Sequence, residues 1–178
     1  DNHAVAQLDG EPGPAVRPHT LAQLQACLPE RRDSGALQSV KRFPMFLVAA
    51  EGGGLRGAYW TAMVLAKLQD DSGRRFADNV FALSGVSGGS LGSAVFAALV
   101  ADEHSGALAT APCAAHPQVA FQACATRVLR RDFLSPILGY LLYPDMVQRF
   151  LPLPLAAADR ARAMELAWQT GWTKSVGS

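Results

Sequence analysis

Near the middle of the chain, a short apolar run, a glycine-rich turn and a helical pattern follow one another, and the same order then repeats. The first apolar run, Met45 to Ala50, has turn residues on both sides, which is typical of a strand buried on both faces. Glu51-Gly52-Gly53-Gly54 ends this run. From Leu55 to Gln69, apolar residues recur at helical spacing and predict a helix.

The second unit begins with a shorter apolar run from Asn79 to Ser84. Gly85-Val86-Ser87-Gly88-Gly89 breaks it, and the almost wholly apolar segment from Ser90 to Ala101 predicts a buried helix. Two strand–turn–helix units in succession predict an α/β fold with a largely parallel sheet.

The regions on either side are less regular. Residues 1–42 contain several prolines and glycines and predict an irregular arm with one short helix, so that the main domain spans residues 43–178. Residues 102–118 predict a polar loop, and Val119 to Arg131 predict a further helix.

The stretch from Phe133 to Leu155 is rich in leucine, phenylalanine and tyrosine, but its prolines exclude one long regular helix. It predicts short helical pieces with a large apolar surface. Either this surface caps a functional site or touches a bilayer, or it is core that a further part of the domain covers. We favour the second interpretation.

Composition narrows the class of protein. The chain of 178 residues has 16 basic and 15 acidic side chains, and its net charge of +1 gives no electrostatic reason to expect nucleic-acid binding. Charged residues make up 17%, below the usual figure of about 25%. This deficit indicates either less surface than a free-standing domain has or surface that becomes covered.

Cysteine and histidine positions bear on metal and redox chemistry. The three cysteines are too few for a disulfide framework, and no Cys/His cluster has the spacing of a metal site. Cys113 and Cys124 flank a polar turn. They either pair in an oxidising compartment or remain two unpaired, small apolar residues.

The turn Gly85-Val86-Ser87-Gly88-Gly89 matches Gly-x-Ser-x-Gly and lies between a predicted strand and a predicted helix. A serine on such a sharp turn needs small neighbours, which Gly85 and Gly89 provide, and Gly88 lets the helix start close against its strand. The turn exposes the serine hydroxyl at the carboxyl edge of the sheet. The helix that follows directs its partial positive charge at the same point. A glycine/serine turn without chemistry is the alternative, but the strand–turn–helix context favours Ser87 as a nucleophile.

A second glycine-rich turn, Gly52-Gly53-Gly54-Leu55-Arg56-Gly57, also lies between a strand and a helix. Consecutive glycines leave backbone N–H groups open to a ligand, which suits an oxyanion hole. The turn lacks the Gly-Lys-Ser/Thr ending of a phosphate-binding loop and the acidic residue of a dinucleotide site. One acyl-transfer reaction explains both turns. Because both turns follow strands of one parallel sheet, we expect them side by side at its carboxyl edge.

Together the two motifs resemble those of the patatin-like phospholipases, relatives of cytosolic phospholipase A2, and the later part of the chain is similar to a bacterial branch of that family. The resemblance implies a three-layer fold with helices on both faces of a mostly parallel sheet. It implies hydrolysis of a lipid or phospholipid acyl ester by a Ser–Asp dyad, without a metal or organic cofactor. Ser87 would be the nucleophile, Gly53 and Gly54 would supply oxyanion N–H groups, and Arg56 would help to fix their loop.

The family's aspartate lies in an Asp-Gly-Gly or Asp-Gly-Ala motif, and none follows Ser87 here. We therefore expect the chain to be the first part of an incomplete catalytic domain, inactive in isolation, whose aspartate lies beyond it. The two histidines after Ser87, His104 and His116, share one predicted loop and are poorly placed as a base.

Two alternatives remain open at this stage. One is an α/β-hydrolase whose Ser-His-Asp triad is completed outside the chain, and the other is a non-catalytic lipid- or partner-binding module on the same scaffold. The resemblance is compatible with peripheral membrane contact and favours a membrane-associated or cytoplasmic location, while the sequence itself leaves the compartment open.

Overall fold

The computed structural model describes residues 44–148, 150 and 160–177. The predicted arm over residues 1–42 and the end of the proline-rich stretch, which comprises residue 149 and residues 151–155, lie outside the described residues. Two strands and six helices make up the regular elements of the described part. They are β1 (Phe46–Ala50), α1 (Gly54–Asp71), β2 (Val80–Gly85), α2 (Gly88–His104), α3 (Ala120–Leu129), α4 (Leu134–Tyr140), α5 (Met146–Gln148) and α6 (Arg160–Ser175).

The two repeated units have the predicted order and close to the predicted bounds. β1 and β2 pair in parallel, with Leu47 opposite Ala82 and Val48 opposite Leu83. Helix α1 forms the crossover between them, so the α/β class predicted from the sequence is correct. Helix α2 continues to His104, beyond the predicted end at Ala101, and 3₁₀ turns occupy part of the predicted loop that follows.

The sheet is covered on one face only within the described residues. Val48 and Leu83 pack against the helical core, whereas Leu47, Ala49 and Ala82 on the opposite face are exposed. The prediction that the first strand is buried on both faces is therefore wrong for this part of the chain. A short apolar run does not distinguish a strand with two covered faces from one with a single covered face. The second helical layer remains a prediction.

The core lies between the sheet and helices α1, α2 and α3. A row of aromatic rings runs through it from Phe76, in the connection between α1 and β2, to Phe96 of α2 and Phe121 of α3, with centroid separations of 6.1 Å. Gln69 is buried beside this core, and its amide is satisfied because Nε2 donates to the Arg74 carbonyl (3.1 Å) and Oε1 accepts from the Ala77 N–H (2.7 Å).

A disulfide joins Cys113 to Cys124, which decides between the two sequence alternatives for this pair. It ties the turns after α2 to the first half of α3.

The proline-broken stretch begins as short helical pieces, as predicted. Helix α4 runs into a π-helical turn at Leu141–Asp145, which contains Pro144, and then into α5. Phe133 stacks on Trp168 of α6 with a centroid distance of 4.2 Å, which holds this region against the last helix. No helix among the described residues has both the length and the apolar character needed to cross a membrane.

Candidate functional site

Ser87 lies at the tip of the turn between β2, which ends at Gly85, and α2, which begins at Gly88. Its backbone angles are φ 51° and ψ −118°, a combination that residues with a side chain rarely adopt. The residue is exposed, and its side chain makes no capping hydrogen bond to the helix. The predicted tight strand-to-helix turn with an exposed serine at its tip is confirmed.

The glycines around Ser87 are required because backbone atoms approach each of them closely. A Cβ on Gly85 would lie 2.6 Å from the Ser90 nitrogen, and one on Gly89 would lie 2.5 Å from the Ala50 carbonyl oxygen. These distances are shorter than real Cβ contacts allow. The first glycine therefore lets the turn fold back on its own helix, and the last lets α2 start directly against the end of β1.

The Gly52–Gly54 loop leaves β1 at the same edge of the sheet and runs beside the serine turn. A Cβ built on Gly52 would lie 3.6 Å from the Ser87 Cβ and 3.5 Å from the Val86 carbonyl oxygen. The Val86 N–H donates to the Ala50 carbonyl at 3.1 Å, which ties the two turns together just beyond the strands. The predicted juxtaposition of the two glycine-rich loops is confirmed.

The glycine loop turns sharply into helix α1. Gly53 and Gly54 have φ values of 143° and 57°, which side chains with a Cβ disfavour. The Gly53 N–H has no acceptor within the described part of the chain, and Gly54 is the first helical residue, whose N–H has no intrahelical partner. These donors are therefore open to a ligand.

Gly88 brings the starts of the two long helices into contact. A Cβ at this position would overlap the Gly54 carbonyl oxygen and would lie 3.0 Å from the Ala58 nitrogen. The sequence interpretation assigned Gly88 to close packing of the helix on its strand, but its neighbour is the start of α1. Both helix N-termini, each with a partial positive charge, therefore meet beside Ser87.

The two charged residues of the glycine loop are both exposed. Neither the Glu51 carboxylate nor the Arg56 guanidinium forms a hydrogen bond or ion pair with another described residue. The predicted role of Arg56 in fixing the loop stays a prediction.

Within the described residues, no hydrogen bond joins the Ser87 hydroxyl to a carboxylate or an imidazole. His104 ends α2, and a helix of 17 residues places it about 24 Å along the axis from the serine turn. His116 is exposed in the turns before α3. The Asp132 carboxylate accepts hydrogen bonds from nearby backbone groups, because the Leu134 and Ser135 N–H groups donate to its Oδ1 at 3.0 and 2.9 Å.

Two further glycines, Gly57 and Gly92, shape the site, although the sequence pattern alone did not lead us to assign them to it. A Cβ on Gly57 would lie 3.1 Å from the Gly52 carbonyl, so Gly57 lets the loop close over the first turn of α1. Gly92 lies one turn after Gly88 and faces the Ala58 carbonyl in the same way. The four-residue spacing of Gly88 and Gly92 was the sequence signal for this close helix contact.

Across the described residues, no group of three or more His, Cys, Asp or Glu side chains is arranged to hold a metal ion. Comparisons with protein-family models, with curated proteins and with solved structures found no match for this chain.

Proposed function

We propose that this chain supplies the nucleophile and the oxyanion-binding loop of a patatin-like serine hydrolase that cleaves acyl esters of lipids or phospholipids. The observation that carries the proposal is the backbone of Ser87, with its φ of 51° and ψ of −118°. Such strain costs about 1–3 kcal/mol, persists only where the surroundings impose it, and clusters at functional sites.

In the proposed reaction, the Ser87 Oγ attacks the acyl carbonyl carbon while a base takes the hydroxyl proton. The oxyanion that forms on the carbonyl oxygen accepts hydrogen bonds from the Gly53 and Gly54 N–H groups, and the two helix N-termini stabilise its charge. Collapse of this intermediate expels the alcohol, which takes back the proton, and leaves an acyl-serine. Water activated by the same base then releases the fatty acid.

Apolar side chains beside the two turns support a lipid substrate. Val86, next to the nucleophile, is 68% exposed, and Trp60, in the second turn of α1, is 72% exposed. Leu55, which follows the glycine loop directly, is exposed as well. Exposed apolar groups around a polar reacting centre suit an ester that joins a polar head to an acyl chain.

We assign the base to an aspartate outside these 178 residues, which would complete a Ser–Asp dyad. In that case a protein extended past Ser178 to include an Asp-Gly-Gly or Asp-Gly-Ala motif gains esterase activity that the present chain lacks. A Ser-His-Asp triad instead predicts that activity returns only with a histidine, and its pH profile would follow imidazole ionisation.

A fluorophosphonate probe tests the assignment of Ser87, because it forms a covalent bond with activated serine hydroxyls. In the extended protein, we expect the label on the peptide that contains Ser87, and we expect Ser87→Ala to abolish it. Ser90→Ala, three residues along in α2, is the matched control and should label normally. Absence of label at Ser87 in a folded extended protein would favour a non-catalytic binding module.

A further inference from the structure

The disulfide between Cys113 and Cys124 lies inside the protein rather than at its surface. Cys124 is fully buried in the first half of α3, and Cys113, in the turns after α2, is 7% exposed. Both cysteines belong to the same hydrophobic core as Leu99, Phe121 and Val128. Redox-active cysteines lie in partly exposed surroundings, where a thiol can reach one of the sulfur atoms. The burial of this pair therefore indicates a lasting structural bond.

Contacts around the disulfide hold the Cys113 segment against α3. The Arg127 guanidinium of α3 donates to the Pro112 carbonyl at 3.0 Å, so the residue before Cys113 is bound to the same helix as the disulfide. The Ala114 N–H donates to the Ala111 carbonyl at 2.9 Å, which closes a turn around Cys113. The Cα atoms of the two cysteines are 4.8 Å apart, within the range that a disulfide spans. The fold therefore brings the two cysteines to bonding distance.

A buried disulfide of this kind is informative about the compartment in which a protein folds. In the cytosol, glutathione and thioredoxin keep cysteine pairs reduced, whereas disulfides form and persist in secreted, periplasmic and endoplasmic-reticulum proteins. The disulfides that do occur in the cytosol are usually catalytic or sensory, and both roles need access to a sulfur atom. Burial denies that access to Cys124. The pair therefore matches the structural disulfides of oxidising compartments.

We infer that this protein is oxidised during folding by a disulfide-donating thiol oxidoreductase and acts outside the reducing cytosol. The thiolate of one cysteine attacks the disulfide of the oxidoreductase and forms a mixed disulfide. The thiolate of the other cysteine then attacks that bond. The Cys113–Cys124 bond forms, and the oxidoreductase leaves as a dithiol with the two electrons and two protons of the chain's thiols. This location differs from the cytoplasmic one that the family resemblance allowed, and it does not depend on the reaction proposed for Ser87.

Thiol trapping in the cells that make the protein tests this inference. The cells are fractionated, quenched in acid and alkylated, and tryptic peptides are weighed by mass spectrometry without reduction. Trypsin releases residues 76–127 as one peptide, which contains Cys113 and Cys124 and no other cysteine. We expect this peptide to carry no alkyl group, and to carry two when the sample is reduced before alkylation. Two alkyl groups without reduction, or recovery of the oxidised protein in the cytosolic fraction, would overturn the inference.

Two further measurements separate a structural bond from a redox switch. Reduced glutathione should reduce the disulfide of the folded chain roughly a hundredfold or more slowly than that of the chain in urea, because burial blocks attack. Similar rates in the two conditions would indicate a switch and overturn the inference.

The second measurement compares variants exported to the periplasm of a bacterial host. The double variant Cys113→Ser/Cys124→Ser should accumulate to a severalfold lower level than the parent chain. Cys27→Ser, which leaves the pair intact, is the matched control and should accumulate like the parent. Equal accumulation of all three proteins would contradict a structural role for the bond.

Discussion

Removing the Cβ of Ser87 should make the protein more stable while it removes the nucleophile. Ser87→Gly and Ser87→Ala both lack the hydroxyl, so the difference between them isolates the backbone strain at φ 51° and ψ −118°. The hydroxyl itself contributes little to this comparison, because Ser87 is exposed and makes no capping bond. We expect Ser87→Gly to be the more stable of the two variants.

The size of the effect follows from two opposing terms. Holding a residue with a Cβ in this backbone region costs about 1–3 kcal/mol, and glycine does not incur that cost. Glycine loses about 0.5–1 kcal/mol through the greater freedom of the unfolded chain. The difference is about 1 kcal/mol in favour of Ser87→Gly, which corresponds to roughly 2–4 °C in the melting temperature of a protein of this size.

Thermal unfolding followed by circular dichroism measures this difference. The control pair is wild type and Ala97→Gly, because Ala97 is exposed in the middle of the same helix with ordinary backbone geometry. At position 97, the glycine variant should be less stable to unfolding than wild type by about 1 kcal/mol. The sign of the glycine-for-alanine change should thus be opposite at the two positions. A melting temperature for Ser87→Gly at or below that of Ser87→Ala would refute the strain argument and, with it, the main support for the proposed function.

Four further outcomes are expected. Replacing the Gly54 amide by an ester, through the matching α-hydroxy acid at position 54, removes its N–H donor and should lower acyl-transfer rate in the extended protein about a hundredfold to a thousandfold, measured by esterase kinetics; unchanged turnover would remove the oxyanion assignment. Gly88→Ala should lower probe labelling and thermal stability together, because its methyl group would overlap the Gly54 carbonyl oxygen and force the two helix starts apart. Reduction of the Cys113–Cys124 disulfide, which closes a separation of 11 residues, should cost about 3 kcal/mol, and a melting temperature unaffected by reductant would contradict this. Hydrogen bonds from the Ser135 hydroxyl, the Ser135 N–H and the Leu134 N–H lower the pKa of Asp132. The stabilising effect of the Asp132 carboxylate on α4 is therefore present above about pH 4 and is lost as the pH falls through the lowered pKa. Hydrogen exchange in α4 should then become faster in acid, and Asp132→Asn should remove that pH dependence.

The serine turn was predictable because its signals are local. The apolar runs, the glycines and the helical spacing from Leu55 onward are each contained within one segment, so their order predicted both turns at one edge of a parallel sheet. The identity of Ser87 as the tip residue followed from the same local pattern. The steric reason for Gly88 was assigned to the wrong neighbour, because the start of α1 is distant in sequence.

The features that escaped prediction depend on contacts between distant segments. The Asp70 carboxylate accepts hydrogen bonds from the first N–H groups of α3, about fifty residues away in the sequence, and no periodic pattern predicts that contact. The open face of the sheet was likewise invisible, because Leu47 and Val48 are both apolar although only Val48 meets the helical core. Sequence pattern gives the elements, whereas which neighbours they meet depends on the assembled layers.

The open sheet face also affects how this chain behaves at high concentration. Within the described part, each strand pairs with one neighbour only, so the backbone groups along its other edge have no strand partner. These edges border the apolar face that carries Leu47. Edges and faces of this kind pair readily with strands of other molecules and start aggregation. Leu47→Lys or Ala82→Lys would disfavour this aggregation without altering the serine turn. The first change expected in preparations of such a variant is higher solubility, rather than better folding.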